Sequence, residues 1–295
     1  MTCVLFTSNR NLERAENLKA VYDSYDGDKR FARFSEIKDL HSGRYNLQVT
    51  DELPEDTVGK CLFIGHAMGA GKTYGLDQPH PYFRRPELVT YAIASSKEMV
   101  PTVAKQIGIS ESQVFPLGMP RTDAYYKQKR IESTTKQYLY APTYRGGDWY
   151  PNWNCMKMRP DELFIVKPHM VTGRILKGHY QQITEHGCNE PSTDDLVQCD
   201  VLITDYSSIM FDAYVMRKPV VLFAKDKKSY LKNRGMYRNY PDQYSELFCD
   251  TEDKMLGLVR NAEWNEGFEG FRQFYAGACD GESTNRVIDL IRSMI

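Results

Sequence analysis

The chain alternates between short apolar runs and longer stretches in which apolar residues recur at helical spacing. Runs rich in Val, Ile, Leu and Phe are typical of strands buried on both faces of a parallel sheet. We therefore predict strands at 3–7, 60–64, 89–94, 114–117, 137–141, 163–169, 201–203 and 220–223. The helical spacing predicts helices at 11–25, 96–107, 192–198, 209–216 and 283–294. Residues 31–58 are polar and are expected to hold short strands and loops.

This alternation of strands and helices continues through both halves of the chain and predicts an α/β fold with parallel sheets. A length of 295 residues suits two domains of about 150 residues each. We predict Rossmann-like domains at 1–130 and 131–295. The pattern leaves open whether the C-terminal helix packs back on the first domain.

Composition narrows the classes of function. The formal net charge of −1 lacks the overall basic field that nucleic-acid binding requires, so no nucleic-acid partner is expected. No apolar run approaches the roughly 18 residues of a membrane-spanning helix, and the N-terminus does not resemble a signal peptide. The seven cysteines are scattered and form no C-x-x-C pair, which favours a reducing cytoplasm. No acidic cluster has metal-ligand spacing, so neither a metal nor a cofactor is expected.

The segment from Val201 to Phe223 carries the clearest candidate site. A buried strand is followed by Thr204-Asp205-Tyr206-Ser207-Ser208, then by a short apolar helix and a second strand, which together predict a βαβ unit. Ser207 and Ser208 fall where the helix begins, where free backbone N–H groups and the helix dipole favour phosphate. The alternative is that the two serines merely cap the helix.

A glycine-rich segment follows the predicted strand at 60–64. It does not fit the P-loop pattern, because the position five residues before Gly71 is His66 where that pattern needs glycine. His66 instead lies at the carboxyl end of a strand, where a histidine can act as a general base.

The motif Asp205-Tyr206-Ser207-Ser208, followed by Asp212, resembles the signature of the CDP-glycerol glycerophosphotransferases, which build teichoic acids and related capsular polymers. The resemblance covers about residues 60–295, and around His66 the chain departs from the family's Trp-His-Gly-Thr. Further matching segments are Gly118 to Asp123, Tyr140 to Arg145, Lys167 to His169, Asp226 with Tyr230 and Arg234, and Cys279 to Gly281.

The resemblance implies a GT-B arrangement of two facing Rossmann-like domains. The acceptor binds to the domain at 1–130, and a CDP-alditol donor binds to the domain at 131–295. In the reaction that it implies, an acceptor hydroxyl attacks the β-phosphorus of CDP-glycerol and CMP leaves. The acceptor is a lipid-linked molecule or a growing teichoic-acid-like or capsular polymer.

Roles for particular residues follow from the same resemblance. His66 is the expected general base, and His169 is expected to stabilise the phosphates or the departing CMP. Arginines can clamp phosphate through paired N–H donors. The expected donor-binding residues are Thr143, Arg145, Lys167, Asp205, Ser207, Ser208, Asp212 and Arg234.

Several alternatives stay open at the level of sequence. The donor could be CDP-ribitol, the protein could be a nucleotide-sugar transferase or epimerase of GT-B type, or it could be an inactive binding relative.

A basic run from Arg217 to Arg238 holds eight Lys or Arg residues and one Asp. This run is consistent with binding to the inner face of an anionic membrane or to a polyanionic acceptor. It is equally consistent with an ordinary solvated surface. The oligomeric state is left open.

Overall fold

A computed structural model of the protein describes residues 3–40, 44–54, 56–65, 85–144, 149–169, 172–187, 192–234 and 245–295. The chain divides into two compact units. Unit 1 comprises Met1–Lys127 and Gln273–Ile295, and unit 2 comprises Gln128–Arg272. In the described residues each unit contains one six-stranded sheet in which all strand pairs are parallel.

The strands of unit 1 follow the order β2-β1-β3-β4-β5-β6 across the sheet. Their bounds are β1 Cys3–Ser8, β2 Lys29–Arg33, β3 Tyr45–Thr50, β4 Lys60–Phe63, β5 Tyr91–Ile93 and β6 Val114–Phe115. All six residues of β1 are buried, as a central strand covered on both faces requires.

The strands of unit 2 follow the order β12-β11-β10-β7-β8-β9. Their bounds are β7 Lys136–Tyr140, β8 Glu162–Val166, β9 Ile183–Glu185, β10 Val201–Thr204, β11 Val220–Phe223 and β12 Phe248–Cys249. The two edge strands, β9 and β12, are too short to show an apolar run and were not predicted. The core of this unit is built on Tyr138, Tyr140 and Phe164, which are all fully buried.

The helices in the described residues connect these strands. In chain order they are α1 Glu16–Ser24, α2 Val100–Ile107, α3 Asp123–Lys127, α4 Ser192–Gln198, α5 Ile209–Val215, α6 Lys227–Arg234, α7 Glu252–Asn261, α8 Glu266–Ala276 and α9 Ser283–Met294. Along the described chain, no helix combines the length and the apolarity needed to cross a membrane.

The helix predicted at 11–25 is interrupted in the structure. A short 3-10 helix at Leu12–Arg14 ends at Ala15, whose backbone is not helical, and α1 begins at Glu16. Ala15 is fully buried. Its carbonyl accepts the first hydrogen bond of α1, from Lys19 N–H at 2.7 Å. The apolar periodicity continues through the break, and for that reason the sequence alone showed one helix.

The C-terminal helix α9 is fastened to unit 1 by the segment from Gly118 to Asp123. Asp123 is buried, and its two carboxyl oxygens accept hydrogen bonds from the first N–H groups of α9, Ser283 at 3.1 Å and Thr284 at 2.7 Å. Gly118 has φ +84°, and a side chain there would overlap the carbonyl oxygen of Ala278. The Gly and Asp of this sequence motif therefore have a structural role in joining the C-terminal segment to unit 1.

Asp123→Ala should lower the free energy of unfolding by about 1–2 kcal/mol, the usual cost of losing a side chain that caps a helix. Asp289→Ala on the same helix is the matched control, because its side chain is 74% exposed. Its loss should change stability by less than about 0.5 kcal/mol. Urea unfolding of both variants measures the difference, and equal stabilities would show that Asp123 does not fasten α9.

Candidate functional site

In unit 2 the strand order reverses between β7 and β10. β8 and then β9 lie on one side of β7, and β10, β11 and β12 lie on the other side. Such a topological switch point leaves a crevice at the carboxyl ends of the two strands, where ligands bind in open α/β sheets. The segments that follow these two strands are 141–144 and 205–208, which contain four of the predicted donor-binding residues: Thr143, Asp205, Ser207 and Ser208.

Asp205 fastens the two sides of this crevice together. Its side chain is fully buried, and Oδ1 accepts hydrogen bonds from the N–H of Thr143 at 2.8 Å and from the N–H of Tyr206 at 2.6 Å. One residue earlier, the Thr204 hydroxyl donates to the Ala141 carbonyl at 2.6 Å. These bonds fix the segment after β7 against the segment after β10, so Asp205 positions its neighbours.

The hydroxyl groups beside Asp205 are available to a ligand. Ser208 occupies the N-cap position of α5, but its side chain makes no capping hydrogen bond, which argues against the capping alternative at this residue. The Thr143 hydroxyl is shielded from solvent and has no hydrogen-bond partner among the described residues. Ser207 is half-buried. A group that offers several acceptor oxygens, such as a phosphate, would satisfy these donors.

The tyrosine of the motif packs against the following strand and helix. The rings of Tyr206 and Tyr230 are stacked with centroids 3.7 Å apart, and the Tyr206 hydroxyl donates to Asp226 at 3.3 Å. Asp212 is buried within α5. The Asp226 and Tyr230 positions noted in the sequence thus hold the start of α6 against the tyrosine of the motif.

A buried charged network lies at the carboxyl end of β8. Lys167 is 5% exposed, and its Nζ lies 3.2 Å from Oδ2 of Asp195 on α4. The other oxygen of Asp195 lies 2.6 Å from Nδ1 of His186, just after β9. His186 was not predicted as a site residue, because β9 has no apolar run to mark it. Lys167 is therefore held by a carboxylate rather than extended into solvent, and its role in donor binding stays a prediction.

His169 lies two residues beyond Lys167 and is half-buried. Its ring packs beside that of Tyr144, with centroids 5.7 Å apart, so it lies next to the segment that follows β7. His66, Arg145 and the side chain of Arg234 lie outside the described residues. The structure thus brings together Thr143, Asp205, Ser207 and Ser208, and it places Lys167 and His169 at the adjacent strand.

In unit 1 the segment that precedes His66 is held by a residue that the sequence did not indicate. Asn17 on α1 is buried and donates to the Gly65 carbonyl at 2.9 Å. Its Oδ1 accepts from the N–H of Arg121 at 2.9 Å. Asn17 therefore joins the end of the β4 segment to the motif at 118–123. Only the three-dimensional structure reveals this link, since the bonded residues are 48 and 104 positions from Asn17.

Part of the basic run stabilises unit 2 itself. Arg217 lies 3.5 Å from Glu269, and Lys225 lies 2.6 Å from Glu252. Lys218 donates to the carbonyls of Val197 and Cys199 at 2.9 and 2.7 Å, and burial lowers the pKa of its ammonium group. A membrane or polyanion contact stays a prediction for the remainder of the run.

The two parallel sheets define the chain as an α/β protein of the GT-B type, and the predicted fold class is confirmed. The wall teichoic acid polymerase TagF has a similar structure, with a TM-score of 0.76 and 17% identity over 99% of this chain and 88% of that one. The S. aureus MnaA-UDP co-structure is also similar, with a TM-score of 0.64 and 13% identity over 100% of this chain and 98% of that one. At these identities the likeness concerns the fold alone.

The chain belongs to the CDP-Glycerol:Poly(glycerophosphate) glycerophosphotransferase family, whose model matches residues 44–293. The family resemblance predicted from the motifs is thereby confirmed. A teichoic acid poly(ribitol-phosphate) polymerase of Bacillus spizizenii is 26% identical, over 98% of this chain and 56% of its own length. A teichoic acid glycerol-phosphate primase of Bacillus subtilis is 25% identical, over 84% of this chain and 71% of its own length. The chain thus spans little more than half of the polymerase.

Asp195→Asn should destabilise the protein by about 3–5 kcal/mol, because it removes the carboxylate that balances the buried charge of Lys167. Asp194→Asn is the matched control, since Asp194 precedes it on α4 and is exposed. Denaturant unfolding at neutral pH measures both variants. A loss below about 1 kcal/mol in Asp195→Asn would contradict the assignment of Lys167 and Asp195 as a buried ion pair.

Proposed function

We propose that the protein transfers an alditol phosphate from a CDP-alditol to a hydroxyl group of an acceptor and releases CMP. The observation that carries this proposal is the group of hydroxyls of Thr143, Ser207 and Ser208 at the switch point of unit 2 in a chain of this family. Among the described residues the Thr143 hydroxyl has no partner, and the Ser208 side chain does not cap α5. CDP-glycerol is the proposed donor. In support, a variant of TagF has been solved after a soak with CDPG.

In the proposed donor complex the diphosphate occupies the crevice between the ends of β7 and β10. The hydroxyls of Ser207, Ser208 and Thr143 donate to phosphate oxygens, while Asp205 holds the two segments at a fixed separation. Arg145 and Arg234 are proposed to balance the remaining negative charge. Preorganised donors of this kind stabilise the charge that develops on the phosphoryl group without further rearrangement.

In the proposed reaction an acceptor oxygen forms a bond to the β-phosphorus of the donor. The bond between that phosphorus and the oxygen bridging to the α-phosphate breaks, and CMP leaves with the bridging oxygen. The proton of the attacking hydroxyl passes to His66, the proposed base, and His169 is proposed to stabilise the departing CMP. A histidine suits the first role because its pKa lies near the working pH. The acceptor is proposed to be a teichoic-acid-like polymer or its lipid-linked start.

The function is tested by incubating the protein separately with CDP-glycerol and CDP-ribitol, each with a glycerol-phosphate oligomer as acceptor. We expect CMP release with CDP-glycerol and elongation of the oligomer by one glycerol phosphate for each CMP. CMP release from CDP-ribitol alone would indicate that the protein transfers ribitol phosphate. Binding of CDP-glycerol without CMP release would indicate an inactive relative, and no binding of either compound would contradict the proposal.

Ser207→Ala combined with Ser208→Ala should weaken CDP-glycerol binding by about 1.5–3 kcal/mol for each hydroxyl bonded to phosphate. The cost to folding should stay near or below about 1 kcal/mol, because the Ser208 side chain does not cap α5. Ser229→Ala on α6 is the matched control, since it is an exposed serine of the same unit. Isothermal titration and thermal melts give the two quantities. Normal donor binding in a destabilised double variant would restore the capping interpretation.

A further inference from the structure

Unit 1 has a switch point of its own, between β1 and β3. The strand order places β2 on one side of β1 and places β3, followed by β4, on the other side. β1 and β3 pair in register up to Thr7 and Thr50, so Ser8 and Asp51 follow at the carboxyl ends of the two strands. This is the position in unit 1 that corresponds to the crevice between β7 and β10 in unit 2.

Asp51 is a buried carboxyl group with unused capacity for hydrogen bonds. Its side chain is 0% exposed, and among the described residues neither carboxyl oxygen has a partner that meets hydrogen-bond geometry, although the Ser8 hydroxyl lies close enough to lower the pKa of Asp51. The pKa of this carboxyl is raised to about 6, chiefly by burial and to a smaller extent by the charge of Glu52, against the lowering effects of the nearby Ser8 hydroxyl and of the charge of Arg10. Buried polar groups in folded proteins nearly always have a partner, so a buried carboxyl group without one requires an explanation.

Asp205 in unit 2 provides a comparison for Asp51. Each aspartate directly follows a threonine that ends a strand at a switch point, Thr50 in unit 1 and Thr204 in unit 2. Asp205 accepts two backbone hydrogen bonds and fastens the segments beside it. In unit 1 the neighbouring Glu52 fulfils that function, since it accepts a backbone hydrogen bond from the N–H of Asn9 at 3.1 Å. Asp51 is therefore not needed to hold the segments together.

The residues beside Asp51 also supply a cation. Arg10 and Glu52 form an ion pair whose side chains are 39% and 21% exposed. Ion pairs that water reaches contribute little to stability, so a ligand can displace this one. Displacement would leave a guanidinium group, which binds phosphate, next to a carboxylate, which accepts hydrogen bonds from hydroxyls. A ligand that carries both groups on one short molecule complements this pair.

We propose that the crevice between β1 and β3 binds the terminal alditol phosphate of the acceptor, with Asp51 accepting a hydrogen bond from a terminal hydroxyl and Arg10 binding the phosphate. This proposal rests on the proposed function, because it assigns the acceptor of that reaction to these residues. Asp51 acts as a binding residue here, and the proton of the reacting hydroxyl does not pass to it.

The test uses two probes and one variant, Asp51→Asn, which keeps the shape of the side chain and removes its charge. The first probe is a glycerol-phosphate trimer, and the second is the same trimer with its terminal hydroxyls methylated. Wild-type protein should bind the first probe about 10- to 100-fold more tightly than the second, the ratio expected for a hydrogen bond to a charged group. In Asp51→Asn this ratio should fall severalfold, because the amide oxygen still accepts a hydrogen bond but carries no charge. CDP-glycerol affinity should be unchanged in the variant.

Glu87→Gln serves as the matched control, because Glu87 is an exposed carboxylate of unit 1 paired with Arg85. It should bind both probes as the wild-type protein does. Folding of Asp51→Asn is checked by urea unfolding across pH 4 to 8. A carboxyl whose pKa is raised from 3.8 to about 6 makes the folded state less stable as the pH rises through this range. The variant should therefore gain stability relative to the wild-type protein with increasing pH.

The outcomes separate this inference from the proposed function. If the wild-type protein releases CMP but Asp51→Asn distinguishes the two probes as strongly as the wild-type protein does, the function stands and the acceptor site is wrong; a buried water then satisfies Asp51. If the wild-type protein binds neither probe, the acceptor site is also wrong. If the wild-type protein distinguishes the probes and the variant does so severalfold less, the site is supported even where no CMP is released.

Discussion

The candidate donor site depends on one carboxylate. Two segments that are 62 residues apart in the chain leave neighbouring parallel strands, and each has backbone N–H groups that the sheet no longer pairs. Asp205 satisfies one from each side, Thr143 and Tyr206, with a single oxygen. Because Asp205 forms these hydrogen bonds to the backbone, the hydroxyls of Ser207 and Ser208 are not needed to hold the two segments. A site that binds a large anion needs some residues that fix the backbone and other residues whose hydrogen-bond donors remain available to the ligand.

The sequence was most informative where a strand is buried on both faces. Val201–Thr204 and Val220–Phe223 are fully buried, and their apolar runs predicted the βαβ unit and the position of Ser207 and Ser208 correctly. The sequence could not predict contacts that depend on strand order. The bond between Asp205 and Thr143 requires that β10 lie beside β7, and the network of Lys167, Asp195 and His186 requires β9, an edge strand of three residues.

The same limit applies to unit 1. Asp51 follows a strand, Tyr45–Thr50, in which apolar and polar side chains alternate. This alternation is a strand pattern, but it lies within a largely polar stretch, and it does not indicate that all but one of the six residues are buried. The family comparison meets a limit of a different kind. CDP-glycerol and CDP-ribitol share the cytidine diphosphate and differ only in the alditol. Residues that hold the diphosphate cannot distinguish the two donors, and relatives at 25–26% identity carry both glycerol and ribitol in their names.

The fastening of α9 to unit 1 has a consequence for how the protein is made. Unit 2 is one continuous segment, Gln128–Arg272, whereas unit 1 needs both Met1–Lys127 and Gln273–Ile295. A ribosome emits the chain from its N-terminus, and domains fold as units during synthesis. Unit 2 therefore has all its residues before unit 1 does, although it is synthesised second. Asp123 and the crowded backbone at Gly118 receive their partners only after α9 has left the ribosome, and until then α1 lacks the helix that packs against it.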